Sequence, residues 1–284
     1  MAWPVTPLPR ERPAGRAHND LMTSPGEIPV VKLPGGGHMP VVGFGTWNLR
    51  GPAAQSPVLA ALAAGYRHLD TATMYRNEAA VGQALASSGV ARADVFVTTK
   101  IKATEANRVQ KTLQGSLRAL GTDYLDLWLA HWPPNRADDR VRLWGEMLDA
   151  RAAGLVRDVG VSNFSLAQVD ELISASGQPP AVNQIDWGPS LYEAAVLAGH
   201  ADRGIPVEGY SSLKNTNLRD PVLTSIAAEH GVTPAQVVLR WHLQHDIIVI
   251  PKSARPERIA ANLDLFGFEL TAGQMAAIDG LAGG

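Results

Sequence analysis

The sequence contains no cysteine. Disulfide frameworks and thiolate metal sites are therefore excluded. Charge is also sparse, at 18% of 284 residues, and it is balanced: 25 Lys and Arg against 27 Asp and Glu give a net charge of -2. A chain without a basic excess is a poor candidate for electrostatic nucleic-acid binding. No apolar run approaches the length of a membrane span. The stretch from Met1 to Glu27 carries scattered proline and arginine instead of the continuous apolar segment of an export signal. The expected location is cytoplasmic, with no membrane or nucleic-acid partner. A G-x-G-x-x-G fingerprint after a strand is missing too, because Gly35, Gly36 and Gly37 fall between two hairpin arms. That counts against an open dinucleotide-binding sheet. Histidines such as His68, His131, His200, His230, His242 and His245 are scattered. His242 and His245, three apart on an expected helix, are the nearest thing to a metal pair. Their helix lies away from the expected site, so they read as surface or packing residues and no metal is expected.

Apolar residues make up 45% of the chain, enough for a sizeable core. Residues 1–26 contain Pro4, Pro7, Pro9, Pro13 and Pro25 and read as a flexible tail, with Met22 as an alternative start. Residues 27–284 read as one domain. Val30 to Leu33 and Met39 to Val42 flank Pro34-Gly35-Gly36-Gly37, the pattern of a β-hairpin. Eight further short apolar runs follow, beginning near Gly43, Arg67, Val95, Leu125, Arg157, Ala181, Pro206 and Ile247. A helical pattern follows nearly every one. Examples are Pro57 to Gly65, Glu78 to Ser87, a helix capped by Thr104 or Asn107 and running to Leu120, and Leu143 to Ala153. Eight strand–helix units in this length predict an α/β fold, a (β/α)8 TIM barrel with an N-terminal β-hairpin.

The active site of such a barrel lies at the C-terminal ends of its strands. Polar residues at those ends form a compact set: Asp70 and then Tyr75 after the second strand, Lys100 on the third and His131 on the fourth. Ser162 and Asn163 follow the fifth, Gln184 the sixth, Tyr210 the seventh and Lys252 the eighth. Each has an ordinary structural explanation taken singly: a cap, a rim aromatic, a solvated loop lysine, a turn histidine. Jointly, an acid, a phenol, an amine and an imidazole on three adjacent strands suit proton transfer. Tyr75 is a poor acid at its reference pKa of about 10. Lys100, paired with Asp70, is expected to lie near its oxygen and lower that value. Tyr75 then protonates a carbonyl oxygen while hydride arrives at carbon, and neutral His131 orients the carbonyl. None of the four carries hydride, so a reduced cofactor is required.

These residues lie in Gly43-Phe44-Gly45-Thr46-Trp47, Gly65-Tyr66-Arg67-His68-Leu69-Asp70-Thr71-Ala72, Met74-Tyr75-Arg76-Asn77-Glu78 and Thr98-Thr99-Lys100. They continue in Leu129-Ala130-His131-Trp132-Pro133, Gly160-Val161-Ser162-Asn163-Phe164, Asn183-Gln184 and Ile250-Pro251-Lys252-Ser253. From Val30 to Leu281 the chain resembles the aldo-keto reductases. The resemblance implies reduction of aldehydes or ketones with NADPH, with Asp70, Tyr75, Lys100 and His131 as the catalytic four. It implies that Ser162, Asn163 and Gln184 hold the nicotinamide carboxamide and that Tyr210 stacks on the ring. It implies further cofactor contacts at Gly45, Thr46, Trp47, Asp70, Ser211, Ser212 and Leu213. Lys252, Ser253, Arg258 and Asn262 then clamp the adenosine end, where two cations suit a 2′-phosphate. Trp47 and Trp132, with Tyr75 and His131, are the expected substrate contacts. Two departures bear on substrate: Trp187-Gly188-Pro189 after Ile185-Asp186, and a short charged loop, Asn135 to Arg140. With the chain ending at Gly284, soon after its last helix, they predict an open pocket. A second reading is a nucleotide-binding regulatory subunit with little turnover, using Lys214 to Asn217 and the basic N-terminal tail as a partner surface. The intact catalytic four favour the enzyme, expected to be a monomer.

Overall fold

A computed structural model describes residues 28–214 and 216–283. The expected tail, 1–26, the alternative start at Met22 and Asn215 lie outside the described residues. The chain opens with β1 (Val30–Lys32) and β2 (His38–Pro40), an antiparallel pair in which Val31 faces Met39. Its turn is closed by Leu33 N–H donating to the Gly37 carbonyl at 2.8 Å, with Gly36 at φ 86°. That left-handed value is why glycine sits there.

The units then follow in order: β3 (Phe44–Gly45), α1 (Gln55–Ala64), β4 (His68–Asp70), α2 (Glu78–Ser87), β5 (Phe96–Ile101) and α3 (Val109–Leu120). Next come β6 (Leu125–Ala130), α4 (Ala137–Ala152), β7 (Val156–Ser162), α5 (Leu166–Ser176), β8 (Asn183–Asp186) and α6 (Ala194–Ala201). The chain finishes with β9 (Val207–Tyr210), α7 (Pro221–His230), α8 (Pro234–Gln244), β10 (Ile248–Val249), α9 (Pro256–Ala261) and α10 (Ala272–Asp279). β3 to β10 pair in sequence order and in parallel. The ring closes where Val42 bridges Val249, with Gly43 N–H donating to the Val249 carbonyl at 2.8 Å and Val249 N–H to the Val41 carbonyl at 2.9 Å. This is the expected (β/α)8 barrel. Among the described residues no helix is long and apolar enough to cross a membrane.

The hairpin plugs the N-terminal end of the barrel. Leu33 and Met39 are buried against Phe96, Leu127, Leu129, Val182 and Ile248. The Asp158 carboxylate on β7 accepts from Gly35 N–H at 2.6 Å and Gly37 N–H at 3.3 Å. A second shell of apolar residues packs the helices on the sheet: Leu62, Val81, Leu113, Leu117, Trp128, Trp144 and Met147 are all buried.

The expected helix α2 is found with its predicted ends, and α1 stops at Gly65, φ 107°. Thr233 caps α8 reciprocally with Gln236, so Pro234 enters the first turn without losing a bond. Two expectations change. Neither Thr104 nor Asn107 caps α3, because a short 3-10 turn, Ala103–Glu105, uses up that stretch and the cap position falls on Arg108. The charged segment after His131 is not all loop. Ala137 to Arg140 forms the first turn of α4, where Asp138 and Asp139 suit the positive end of the helix dipole. Arg140 turns inward to the Pro134 carbonyl at 2.8 Å and to Glu171 Oε2 at 2.6 Å.

Candidate active site

In a strand, positions two apart share a face. That parity sends His68 and Asp70, Thr98 and Lys100, Gln184, and Glu208 to the barrel interior, where all are buried. Lys100 has no exposure, and its ammonium lies 2.6 Å from both oxygens of Asp70, 3.0 Å from the Thr71 carbonyl and 3.4 Å from the Tyr75 hydroxyl. Burial alone pulls a lysine pKa down; Asp70, Tyr75 and Glu208 reverse the sign and push Lys100 up. It is therefore a permanent cation directly behind the phenol.

Tyr75 stands in a 3-10 turn, Thr73–Tyr75, between β4 and α2. Its ring meets His131 edge-on at 5.7 Å and Trp47 at 5.0 Å. Contrary to the sequence expectation, its pKa lies above the usual phenol value. Burial is the largest cause, and the opposing pull of Lys100 does not overcome it. The phenol thus keeps its proton at neutral pH, and Lys100 favours its anion only as charge develops on oxygen. His131 is pulled down to about 3 by burial and by Lys100 and Lys102, so its imidazole is neutral, as expected. Trp132 and Trp47 are about half exposed, at 49% and 56%, on the same rim, beside exposed Met74.

The other predicted contacts form two groups. Ser162, Asn163, Gln184 and Tyr210 are brought together. The Tyr210 hydroxyl donates to Asn163 Oδ1 at 2.8 Å, and the Asn163 amide donates to the His131 carbonyl and to Ser162 Oγ, each at 3.0 Å. Ser162 Oγ donates to the Gln184 carbonyl at 2.9 Å. Asn163 and Ser211 have φ values of 64° and 58°, and Asn48 and Arg76 on neighbouring loops share the left-handed region. Strained loop residues of this kind collect where side chains must be aimed. Thr46 is buried and donates to the Asp70 carbonyl at 2.9 Å. A Cβ on Gly45 would lie 2.5 Å from the Ile250 carbonyl, so glycine there serves the seam with β10. Ser212 is buried, and Ser211 and Leu213 are half-buried. The second group, Lys252, Ser253, Arg258 and Asn262, lies after β10 and on α9. Both cations are exposed, while Ser253 and Asn262 are buried. Two exposed cations with two neutral polar groups on the same short segment suit a phosphorylated nucleotide end in their chemistry.

Sequence reasoning missed three residues. Asn77, 1% exposed, donates to the Thr46 and Leu49 carbonyls at 3.0 and 2.8 Å, tying the Trp47 loop to the start of α2. His68 and Glu208 are fully buried with Nε2 and Oε1 3.7 Å apart. Burial pulls His68 to about 3 and lifts Glu208 to about 8, so at pH 7 these are neutral neighbours and not an ion pair. A charged residue in an otherwise apolar strand, Val207 to Tyr210, was the available signal for Glu208. Trp187 does not reach the mouth either. It is buried 6.3 Å from the Tyr192 ring in the packing around Trp241. His242 is buried, and His245 pairs with Asp279 at 2.9 Å; among the described residues no acid and histidine group could hold a metal.

Fold and site together define a (β/α)8 barrel enzyme whose mouth presents a phenol backed by a buried ammonium–carboxylate pair. The sequence profile of the Aldo/keto reductase family matches residues 41–282. An aldo-keto reductase of Mycolicibacterium vanbaalenii is 48% identical over 92% of this chain and 94% of its own length. A 2,5-diketo-D-gluconic acid reductase B from a Corynebacterium species is 44% identical over 90% and 94%. The crystal structure of a Bombyx mori aldo-keto reductase in complex with NADP superposes with a TM-score of 0.84 at 35% identity, covering 90% of this chain and 94% of that one. This chain belongs to the aldo/keto reductase family and is an oxidoreductase.

Proposed function

We propose that the protein reduces an aldehyde or ketone to the alcohol with NADPH. The observation that carries this reading is the Lys100 ammonium held between Asp70 and the Tyr75 hydroxyl at the open end of the barrel. When bound, NADPH supplies hydride to the carbonyl carbon. The chain's own residues do the rest. Tyr75 donates the proton to the carbonyl oxygen, and Lys100 stabilises the phenolate left behind. Neutral His131 orients the carbonyl by a hydrogen bond. Ser162, Asn163 and Gln184 present amide and hydroxyl groups for a carboxamide, Tyr210 presents a ring face, and Lys252 with Arg258 presents positive charge for a 2′-phosphate. The solved relative in complex with NADP supports the choice of cofactor. Trp47, Trp132 and Met74 offer an open apolar rim, consistent with a tolerant substrate range.

The test is NADPH oxidation, followed by absorbance, against simple aldehydes, ketones and dicarbonyls, with NADH in parallel. A 2,5-diketo sugar acid belongs in the panel because one relative is named for it. Turnover with a preference for NADPH is the expected result. Tight NADPH binding without turnover on any compound would overturn it in favour of the regulatory subunit. Tyr75→Phe is expected to lower kcat by about 10²–10⁴-fold, the usual contribution of a general acid, and to leave NADPH affinity intact. Equal loss of both would sink the role of Tyr75.

A further inference from the structure

Glu208 lies on β9, fully buried inside the barrel, and the catalytic scheme above does not use it. A buried carboxyl in a strand interior is costly unless its hydrogen bonds are made. Glu208 makes one: its Oε2 accepts from the Gln184 side-chain amide at 2.7 Å. The same amide nitrogen donates to Asp70 Oδ2 at 2.9 Å. A primary amide nitrogen has two hydrogens, so both are committed inward, one to each acid. Turning the amide over would set its oxygen 2.9 Å from Asp70 Oδ2, lone pair against lone pair, so Asp70 gives the amide its sense and Glu208, taking the second hydrogen, fixes its tilt. The end left over is Oε1, which no donor reaches among the described residues and which is not sealed from solvent.

We propose that Glu208 is a positioning residue: by accepting from the Gln184 amide it fixes that amide with its oxygen facing the cofactor site, where it receives the N–H of the nicotinamide carboxamide. This rests on the NADPH reading above. Asp70 alone is a weaker lock, because Lys100 already binds both of its oxygens. Glu208, raised to about 8 by burial and by the Asp70 charge, is neutral at pH 7 and still offers Gln184 a carbonyl oxygen. An acceptor, not a charge, is what the position requires. Glu208→Gln can supply one, whereas Glu208→Leu cannot.

The experiment measures dissociation constants of three ligands for the wild type, Glu208→Gln and Glu208→Leu. The ligands are NADP+, its 3-acetylpyridine analogue, whose methyl ketone has no N–H to give, and 2′,5′-ADP, which reports the adenosine end alone. The wild type is expected to prefer NADP+ over the analogue. In Glu208→Leu that preference shrinks about tenfold, the worth of one hydrogen bond in a dry site, while 2′,5′-ADP binds as before. Glu208→Gln restores the preference to within about threefold of wild type. If the leucine variant does not fold, Glu208→Thr, whose hydroxyl is too short to reach Gln184, carries the same expectation. An unchanged preference with intact 2′,5′-ADP binding overturns the inference alone. So does equal weakening of all three ligands, which would mark a merely structural role, or a wild type that binds NADP+ and its analogue equally. A wild type that binds neither NADP+ nor 2′,5′-ADP overturns the cofactor reading and this inference with it.

Discussion

A lysine with no exposure to water keeps its proton only if its surroundings repay the lost hydration. For Lys100 the repayment comes from both Asp70 oxygens at 2.6 Å and the Thr71 carbonyl at 3.0 Å. Removing one partner of a buried pair leaves the other uncompensated. Lys100→Met is therefore expected to cost about 3–5 kcal/mol of stability as well as activity, a loss that denaturant unfolding would register. A variant as stable as wild type would mean that Asp70 finds another partner. At the exposed end proposed for the cofactor's 2′-phosphate the logic differs. Lys252 and Arg258 are solvated in the free protein, so Lys252→Ala and Arg258→Ala should leave stability nearly unchanged. They should weaken NADPH much more than NADH, by about tenfold for each charge-assisted bond lost. Equal weakening of the two cofactors in a binding titration would remove the 2′-phosphate assignment.

At the scale of elements, the barrel depends on two contacts that are short in residues. The first is the seam. β3 and β10 are two residues each, and Gly45 N–H donates to the Pro251 carbonyl at 3.3 Å just beyond the single bridge. A methyl at Gly45 would sit 2.5 Å from the Ile250 carbonyl, a backbone atom that cannot swing aside. Gly45→Ala should thus cost about 1–3 kcal/mol of strain and shift the Thr46 and Trp47 turn, lowering activity together with melting temperature. Full activity at unchanged melting temperature would show that the seam can open. The second contact is the plug. Asp158→Ala leaves the Gly35 and Gly37 N–H groups without their acceptor, at about 1–3 kcal/mol if no water replaces it. Amide hydrogen exchange should rise at 35–37 and stay slow in β5 to β7; slow exchange throughout would mean that the apolar contacts of Leu33 and Met39 hold the hairpin alone.

Across the whole molecule, buried groups held neutral set the pH dependence of stability. His68 and His131 are pulled to about 3 and His242 to about 4, by burial first in each case. Their contribution is present above the unfolded value of about 6.5 and is lost as pH falls toward the folded values. Glu208 runs the other way. Raised to about 8, it stabilises below its unfolded value and loses that contribution as pH rises through the folded one. Between about pH 4.5 and 6.5 these three histidines, joined by His200, oppose Glu208 and the raised Glu78 and Asp158 carboxyls and outnumber them, so stability rises with pH, by about 1.4 kcal/mol per pH unit for each unmatched proton. Between about 6.5 and 8 Glu208 acts alone and stability declines. Unfolding free energies at pH 5, 6.5 and 8 should trace this maximum, and Glu208→Gln should flatten the alkaline side and steepen the acid side by about one proton. A symmetrical loss in the variant would show that another group governs that side.

Strand and helix identity lay in local pattern. Apolar runs four to six residues long, glycine stops such as Gly65 and proline starts such as Pro221 and Pro234 act on their own neighbours, so the order of the barrel was readable. The grouping of Asp70, Tyr75, Lys100 and His131 was also readable, because strand parity and a common barrel end bring them together. The helix that begins at Ala137 was not, since its first turn is held by Arg140 reaching Glu171, thirty-one residues away. Nor was the net direction of the Tyr75 shift: burial against the pull of Lys100 is a contest of distances, and a sequence names the contestants without measuring them. Glu208 belongs to the same class. Its residue type and strand are in the sequence, but only the closed barrel places it 2.7 Å from the amide of Gln184, because that distance is set by the curvature of eight strands and by no one of them.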